Sequence, residues 1–188
     1  MKYPQGIIKV NRNYYSHSNR GMTLESDINI TNKYYLDNDI ACIYKKPTPI
    51  TVARVDYPNR KDAVITEAYY KTPSTTDYNG IYNGKYIDFE VKEIKLNFFP
   101  LSNIHNHQIN HLKIIINYGG IGFIIVKFSL HDKIFLLEGE KLFSFIKNNT
   151  RKSIPLEYFE MEGYIIKEQY NPRVDYLNII NKIYFEGE

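Results

Sequence analysis

The sequence predicts an α/β domain, a mixed central sheet with helices on its faces. Three observations carry that expectation. Asn83-Gly84 lies between two strand-like runs, 78–82 and 85–92, and Asn-Gly is the strongest short hairpin signature because a type I′ turn needs positive φ at both central residues. A capped, periodic helix over 106–117 is followed by two apolar runs, 121–129 and 133–138. The chain has 188 residues, a length at which one core can bury about two-thirds of the unfolded surface without a metal or disulfide staple.

Taken in order, residues 1–20 lack periodicity, carry Lys2, Lys9, Arg12 and Arg20 without an acid, and read as a flexible basic arm before a single domain over 21–188. Thr23 is an N-cap candidate, with Glu25 and Asp27 in the first turn where the helix dipole favours acids. Leu24, Ile28 and Tyr35 then form a sparse apolar stripe, giving a helix over about 23–38. Residues 41–44 read as a short buried strand, which makes Cys42 an inert core residue. Pro47 and Pro49 break that strand. Two half-apolar runs follow, 50–56 and 63–70, joined by Tyr57-Pro58-Asn59-Arg60, a hairpin that could project from the body. Beyond the 83–84 turn, Asn106 is the expected cap of the second helix, Ile109, Leu112 and Ile116 its stripe, and Gly119 its stop. Gly119-Gly120 is a helix end rather than a phosphate loop, because no Lys-Ser/Thr and helix follow it. A helix near 139–148 and a mixed tail with a helix near 174–184 complete the reading.

Composition narrows the function classes. The formal net charge of +3 excludes a strongly basic coat protein, and its positive excess is concentrated in 1–20 and 41–60. One cysteine excludes an internal disulfide framework and fits a reducing compartment. No run approaches the ~20 apolar residues of a membrane span, and no apolar leader follows Met1, so a soluble, cytoplasmic protein is expected. Eighteen Tyr and ten Phe without Trp are unusual, but dense Ile, Asn, Lys and Tyr usage also follows from an AT-rich genome.

Strand alternation sorts 85–92 into two faces: Ile87, Phe89 and Val91 toward a core, Asp88, Glu90 and Lys92 on the opposite side. Asp77, at the entry of the partner strand, can close on the same spot. Such a set suits metal-assisted phosphodiester hydrolysis. Asp77 and Glu90 would hold a hard divalent cation, and Lys92 would orient water or neutralise charge in the pentavalent transition state. Taken alone, Asp-x12-Glu-x-Lys also fits a solvated strand face with a Glu–Lys pair. His105, His107 and His111 suggest zinc, yet no cysteine or placed carboxylate completes a tetrahedral site; polar helix-entry residues near a cleft are the better reading. Lys45 and Lys46 suit either ordinary surface or phosphate contact. Tyr69 and Tyr70 suit either sheet packing or stacking on an unpaired base.

Four blocks raise the nuclease reading: residues 18–25 (SNRGMTLE), 44–49 (YKKPTP), 74–80 (STTDYNG) and 86–93 (YIDFEVKE). Together with His105-Asn106-His107-Gln108 and Pro172-Arg173-Val174-Asp175-Tyr176, they resemble the successive signature blocks of the RecU family of Holliday junction resolvases, from about residue 18 to 185. That resemblance implies a restriction-endonuclease-like core, a mixed central β-sheet flanked by helices, with a projecting β-hairpin stalk at about 48–72. It implies a homodimeric, magnesium-dependent endonuclease, with Mn2+ able to substitute, that resolves four-way DNA junctions in recombination, repair and chromosome segregation and contacts a RecA-type recombinase near the nucleoid. By resemblance, Thr75, Asp77, Glu90 and Gln108 match the magnesium-site positions and Lys92 the transition-state stabiliser. Arg20 and Arg60 align with positions tied to junction binding and to effects on the recombinase. The arm looks shorter than in well-known members, and the segment between Lys92 and Gln108 is slightly shortened. The alternative from another class is a non-catalytic, architectural junction-binding protein.

Overall fold

The computed structural model describes residues 23–59, 61–71 and 75–186; the expected basic arm, Arg20 and Arg60 lie outside them. Helix α1 (Leu24–Asp37) leads into strand β1 (Cys42–Lys45). Strands β2 (Ile50–Asp56) and β3 (Val64–Tyr70) precede the hairpin of β4 (Tyr78–Tyr82) and β5 (Lys85–Ile94). A short strand β6 (Phe98–Pro100) and a 3-10 turn lead to helix α2 (Asn106–Asn117). Then come β7 (Ile121–Phe128), β8 (Lys133–Glu138) and α3 (Gly139–Asn148). The chain finishes with β9 (Ser153–Pro155), α4 (Leu156–Glu162), β10 (Tyr164–Ile166) and α5 (Tyr176–Tyr184).

Six strands form one sheet in the order β1-β4-β5-β7-β8-β10. Only the central β5–β7 pair is parallel; its other neighbours are antiparallel. The sheet is therefore mixed, as expected. The parallel pair arises because α2 carries the chain back across the sheet, the crossover that such a pair requires. The 83–84 turn forms as predicted, with φ of +46° at Asn83 and +74° at Gly84.

Each face of the sheet has its own core. On one side Ile87, Phe89 and Val91 pack with Leu24, Ile28 and Tyr35 of α1 and Tyr176, Leu177 and Ile180 of α5. Across β4, β5 and β7 the rings of Tyr78, Phe89 and Phe123 stack nearly parallel, 5.0 and 4.8 Å between centroids. Tyr78, at the centre of this core, places its hydroxyl 2.8 Å from Asn29 Oδ1, so the ring is buried without stranding its polar end. On the other side Ile124 and Val126 pack with Ile109 and Leu112 of α2, Leu142 and Phe145 of α3, and Phe159 of α4.

The sparse stripe of α1 has a structural reason. Its second buried face is polar and grips the segment before α5. Arg173 Nε lies 2.5 Å from Asp27 Oδ1, the Val174 amide donates to Thr31 Oγ1 at 3.0 Å, and the Tyr176 hydroxyl donates to Asn32 Oδ1 at 2.5 Å. Tyr35 adds a bond to Asp175 at 2.8 Å.

One expectation about the strands needs correction. Residues 41–44 do not make a strand buried along its length: β1 is an edge strand, only Ile43 of it is buried, and Cys42 is exposed. The short β6–β9 pair, α4 and β10 had no local signal; Phe98–Pro100 pairs with Ser153–Pro155, far along the chain. Strands β2 and β3 form a separate two-stranded sheet in which every residue but Glu67 is exposed. Its register shifts on either side of Arg54.

Glu93 joins the sheet to α1. Its Oε2 accepts the Leu24 amide at 3.0 Å and its Oε1 the Ser129 hydroxyl at 2.7 Å. Partial burial pushes the Glu93 carboxyl up, but those two bonds and the Lys127 and Lys95 charges outweigh it and hold it below its ordinary value of 4.5. A depressed carboxyl stabilises the fold above its unfolded value and loses that contribution as pH falls through its folded value. Glu93→Gln is therefore expected to cost about 0.3–1 kcal/mol at pH 7, the range for a charge at a helix N-terminus. The difference in urea midpoint between the two proteins should vanish at pH values below the ordinary glutamate range.

Candidate active site

The hairpin register builds the site. Tyr78 pairs with Phe89 across the antiparallel β4–β5 ladder, so the preceding Asp77 falls opposite Glu90, on the same face. Both anchor residues are fully buried and stacked on each other, which fixes the two carboxylates beside them. The Asp77 amide donates to Glu90 Oε2 at 3.2 Å.

The strand face bearing Asp88, Glu90 and Lys92 is not solvated. Asp88 and Glu90 are both 0% exposed. They lie on the α2 side of the sheet, level in register with Gly122 and Ile124 of β7, where apolar packing gives way to charge. Each carboxylate has its own lysine: Lys46 Nζ is 2.7 Å from Asp88 Oδ2, and Lys92 Nζ is 2.5 Å from Glu90 Oε1. The two environments differ. Asp88 Oδ1 accepts the Thr76 hydroxyl, and Oδ2 also accepts the Tyr86 hydroxyl at 3.0 Å and faces His111 Nε2 at 3.1 Å. Glu90 Oε1 is buried with no well-aligned hydrogen bond despite its nearby ammonium. Burial, and then the charge of Asp77, push the Glu90 carboxyl up to about 7 against the opposing pull of Lys92.

A half-buried and a fully buried carboxylate side by side, with one lysine for the two, are short of positive charge. Those oxygens are the donors that a hard divalent cation takes. Among the described residues no group of three His, Cys, Asp or Glu side chains is placed to hold a metal ion. Such a cation would depend on Asp77 and Glu90, with neutral oxygens or water completing its shell.

Beside the pair opens a cleft of about 360 Å³, lined by Glu25, Lys45, Lys46, Thr75, Thr76 and Asp77 with Pro47, Thr48 and Pro49. Thr75 and Asp77 thus share one wall with both lysines. Lys45 is held by Glu25, Nζ to Oε1 at 2.6 Å. Tyr69 and Tyr70 lie on β3, 60% and 85% exposed, so the sheet-packing reading of these two side chains fails; among the described residues nothing covers their ribbon. The Tyr69 hydroxyl donates to Glu67.

The α2 end differs from expectation by one residue. His105, not Asn106, is the N-cap, and its amide donates to Gln108 Oε1 at 2.9 Å. Gln108 is buried, and the capping bond occupies one lone pair of its side-chain oxygen. His105 and His107 stack on each other, 5.3 Å between centroids. His111, one turn beyond Gln108, meets Asp88 instead of a phosphate or metal. Thr76 and His111 as partners of Asp88 were invisible in the sequence, since they come from other segments; Tyr86, two residues away on the same strand, shares its face.

A family model described as "Recombination protein U", RecU, matches residues 19–182. The chain belongs to the RecU family. It is 50% identical over 175 residues to proteins named Holliday junction resolvase RecU from Bacillus cereus and from Bacillus mycoides, covering 91% of this chain and 88% of each relative. Among solved structures, the Holliday junction resolvase Hjc of Archaeoglobus fulgidus aligns with a TM-score of 0.43 at 12% identity, over 69% of this chain and 86% of that one.

The cap role of Gln108 can be separated from any role toward a metal. Gln108→Ala should lower stability by about 1 kcal/mol, the usual cost of a lost N-terminal cap. Urea unfolding in the absence of divalent ions and DNA reads this directly.

Proposed function

We propose that this RecU-family chain is a structure-specific endonuclease that resolves Holliday junctions, using magnesium, with manganese able to substitute. The observation that carries the reading is the pairing of half-buried Asp77 with fully buried Glu90, two carboxylates to the one Lys92 ammonium, beside a lysine-lined cleft in a member of this family. Its core is then of the restriction-endonuclease class, with the β2–β3 ribbon as the stalk that enters the junction.

Asp77 and Glu90 would hold the cation, with the Thr75 hydroxyl beside them on the cleft wall; Gln108 would have to share an oxygen already committed to the helix cap. Bound there, the metal supplies Lewis-acid polarisation and lowers the pKa of water. The chain's own residues supply the rest. Lys92, already against Glu90, balances the charge that develops on the phosphorus centre as water attacks in line. Lys45 and Lys46 draw the phosphate backbone into the cleft, each contact releasing counterions. By the family resemblance Arg20 and Arg60, outside the described residues, would add junction contacts. Products carry a 5′-phosphate and a 3′-hydroxyl.

A four-way junction has two-fold symmetry, and two copies of this chain related by a two-fold axis would place two such sites for paired cuts. Among the described residues no helix is long and apolar enough to cross a membrane, and a cytoplasmic, nucleoid-associated enzyme that also contacts a RecA-type recombinase fits this role. The exposure of Tyr69 and Tyr70 favours stacking on bases opened at the crossover.

Two measurements test this reading. With a fixed four-way junction and magnesium, the wild type should cut symmetrically. Asp77→Asn should lose at least about 100-fold in rate, given the several kcal/mol that metal Lewis acidity supplies, while still binding the junction. A wild type that binds yet never cuts with either metal makes the protein architectural. Separately, Tyr69→Ala and Tyr70→Ala should reduce junction opening reported by a base-analogue fluorophore at the crossover, since base–aromatic stacking contributes ~1–3 kcal/mol. Unchanged opening in both removes the stacking role.

A further inference from the structure

The assignments above leave out one fully buried anion. Asp88 is 0% exposed, and its oxygens are already engaged: Thr76 Oγ1 meets Oδ1, while Lys46 Nζ, Tyr86 OH and His111 Nε2 gather on Oδ2. Three of its four contacts thus fall on the oxygen that holds the Lys46 ammonium. Glu90, two residues on, has the opposite character, with an oxygen that no well-aligned donor reaches. A buried ion pair is weak evidence for stability, because apolar residues of the same volume commonly do as well. Its retention here therefore calls for another reason.

The partners of Asp88 indicate one. Lys46 follows β1, Thr76 stands between Thr75 and Asp77, and His111 comes from α2. The Lys46 amide also donates to the Asp77 carbonyl at 2.8 Å, so Lys46 is tied to the Asp77 loop through backbone and side chain alike. Its ammonium donates to Asp88 at 2.7 Å and to Thr76 Oγ1 at 3.0 Å. Among the described residues no acceptor takes its third N–H, and Lys46 lines the same cleft as Thr75 and Asp77. The neighbouring Lys45 is engaged by Glu25. Lysine carries a flexible four-carbon stem whose freedom is lost when it grips a ligand; Asp88 removes that freedom before DNA arrives.

We propose that Asp88 is a positioning residue: it fixes the Lys46 ammonium in the cleft wall so that the third N–H meets a non-bridging phosphate oxygen of the strand being cut. Lys46 is then a contact of the reacting strand, distinct from a peripheral anchor on the duplex arms. Thr76 and His111 complete the clamp, and Thr76 carries the same order into the Thr75–Asp77 loop. This rests on the nuclease reading of the site.

The test uses the full-length chain, a fixed four-way junction and single-turnover cutting with magnesium, scanning single methylphosphonates along the cut strand to remove one phosphate charge at a time. In the wild type one position near the cut should slow the reaction by about 10–100-fold, the scale of a lost positioning contact. At that position Lys46→Gln and Asp88→Asn should each cut slowly on the natural strand and be slowed no further by the methylphosphonate. A role of Asp88 in folding alone would leave the methylphosphonate penalty intact in Asp88→Asn, and that result overturns the proposal. So does a penalty that persists in Lys46→Gln. Should Asp88→Asn fail to fold, the charge-neutral pair Asp88→Asn with Lys46→Gln replaces it; it must cut as fast as Lys46→Gln alone, and a further loss overturns the proposal. A wild type that cuts no junction overturns the nuclease reading itself and this proposal with it, whereas a cutting wild type with the wrong penalty pattern overturns only the role of Asp88.

Discussion

The structure turns on placing two carboxylates inside the protein, on the strand at the centre of its sheet. A buried anion is costly unless it is paired and hydrogen-bonded, and β5 carries two within three residues. The fold meets this with two lysines that approach from different directions: Lys92 from the same strand and Lys46 from the segment after β1. Everything around them follows. The helix α2 crosses where it can bring His111 to Asp88, and the loop before β4 brings Thr76 to the same oxygen cluster. The neighbouring strand β7 is apolar and seals the rest.

The pairing is asymmetric, and that asymmetry separates architecture from chemistry. Asp88 is gripped by four partners, three of them on Oδ2, and holds its surroundings in place. Glu90 is crowded by Asp77, short of donors, and pushed up to about 7. A single strand thus offers a rigid anion and an unsatisfied one side by side, both secured by the stacked rings of Tyr78 and Phe89 on the other face. Precision at the site comes from strands, which hold side chains more tightly than loops do.

Local features were legible in the sequence. The Asn83-Gly84 turn, the alternation along β5 and the helix over 106–117 depend on neighbouring residues, and all formed. The opposition of Asp77 and Glu90 could be anticipated because the turn sets the register. What escaped was non-local. Nothing near Asp88 indicates that its counter-ion is Lys46, and nothing near Phe98 indicates a partner at Pro155. The run 41–44 looked buried because its residues are apolar, but an edge strand with one covered face leaves Cys42 outside. Gln108, a ligand position by resemblance alone, is the residue that caps its own helix, a duty that composition does not reveal.

The polar face of α1 bears on how the chain comes to be folded. Its clasps to Arg173, Val174 and Tyr176 join residues 146, 143 and 144 positions apart, and contacts of such separation close late because chain entropy opposes them until the intervening segment is in place. On the ribosome, α1 emerges long before the segment that secures it, so the core beneath α1 stays open until residues 173–180 have been made. Loss of those residues would therefore be felt more than 140 positions away, as a loose α1 and an unsealed sheet.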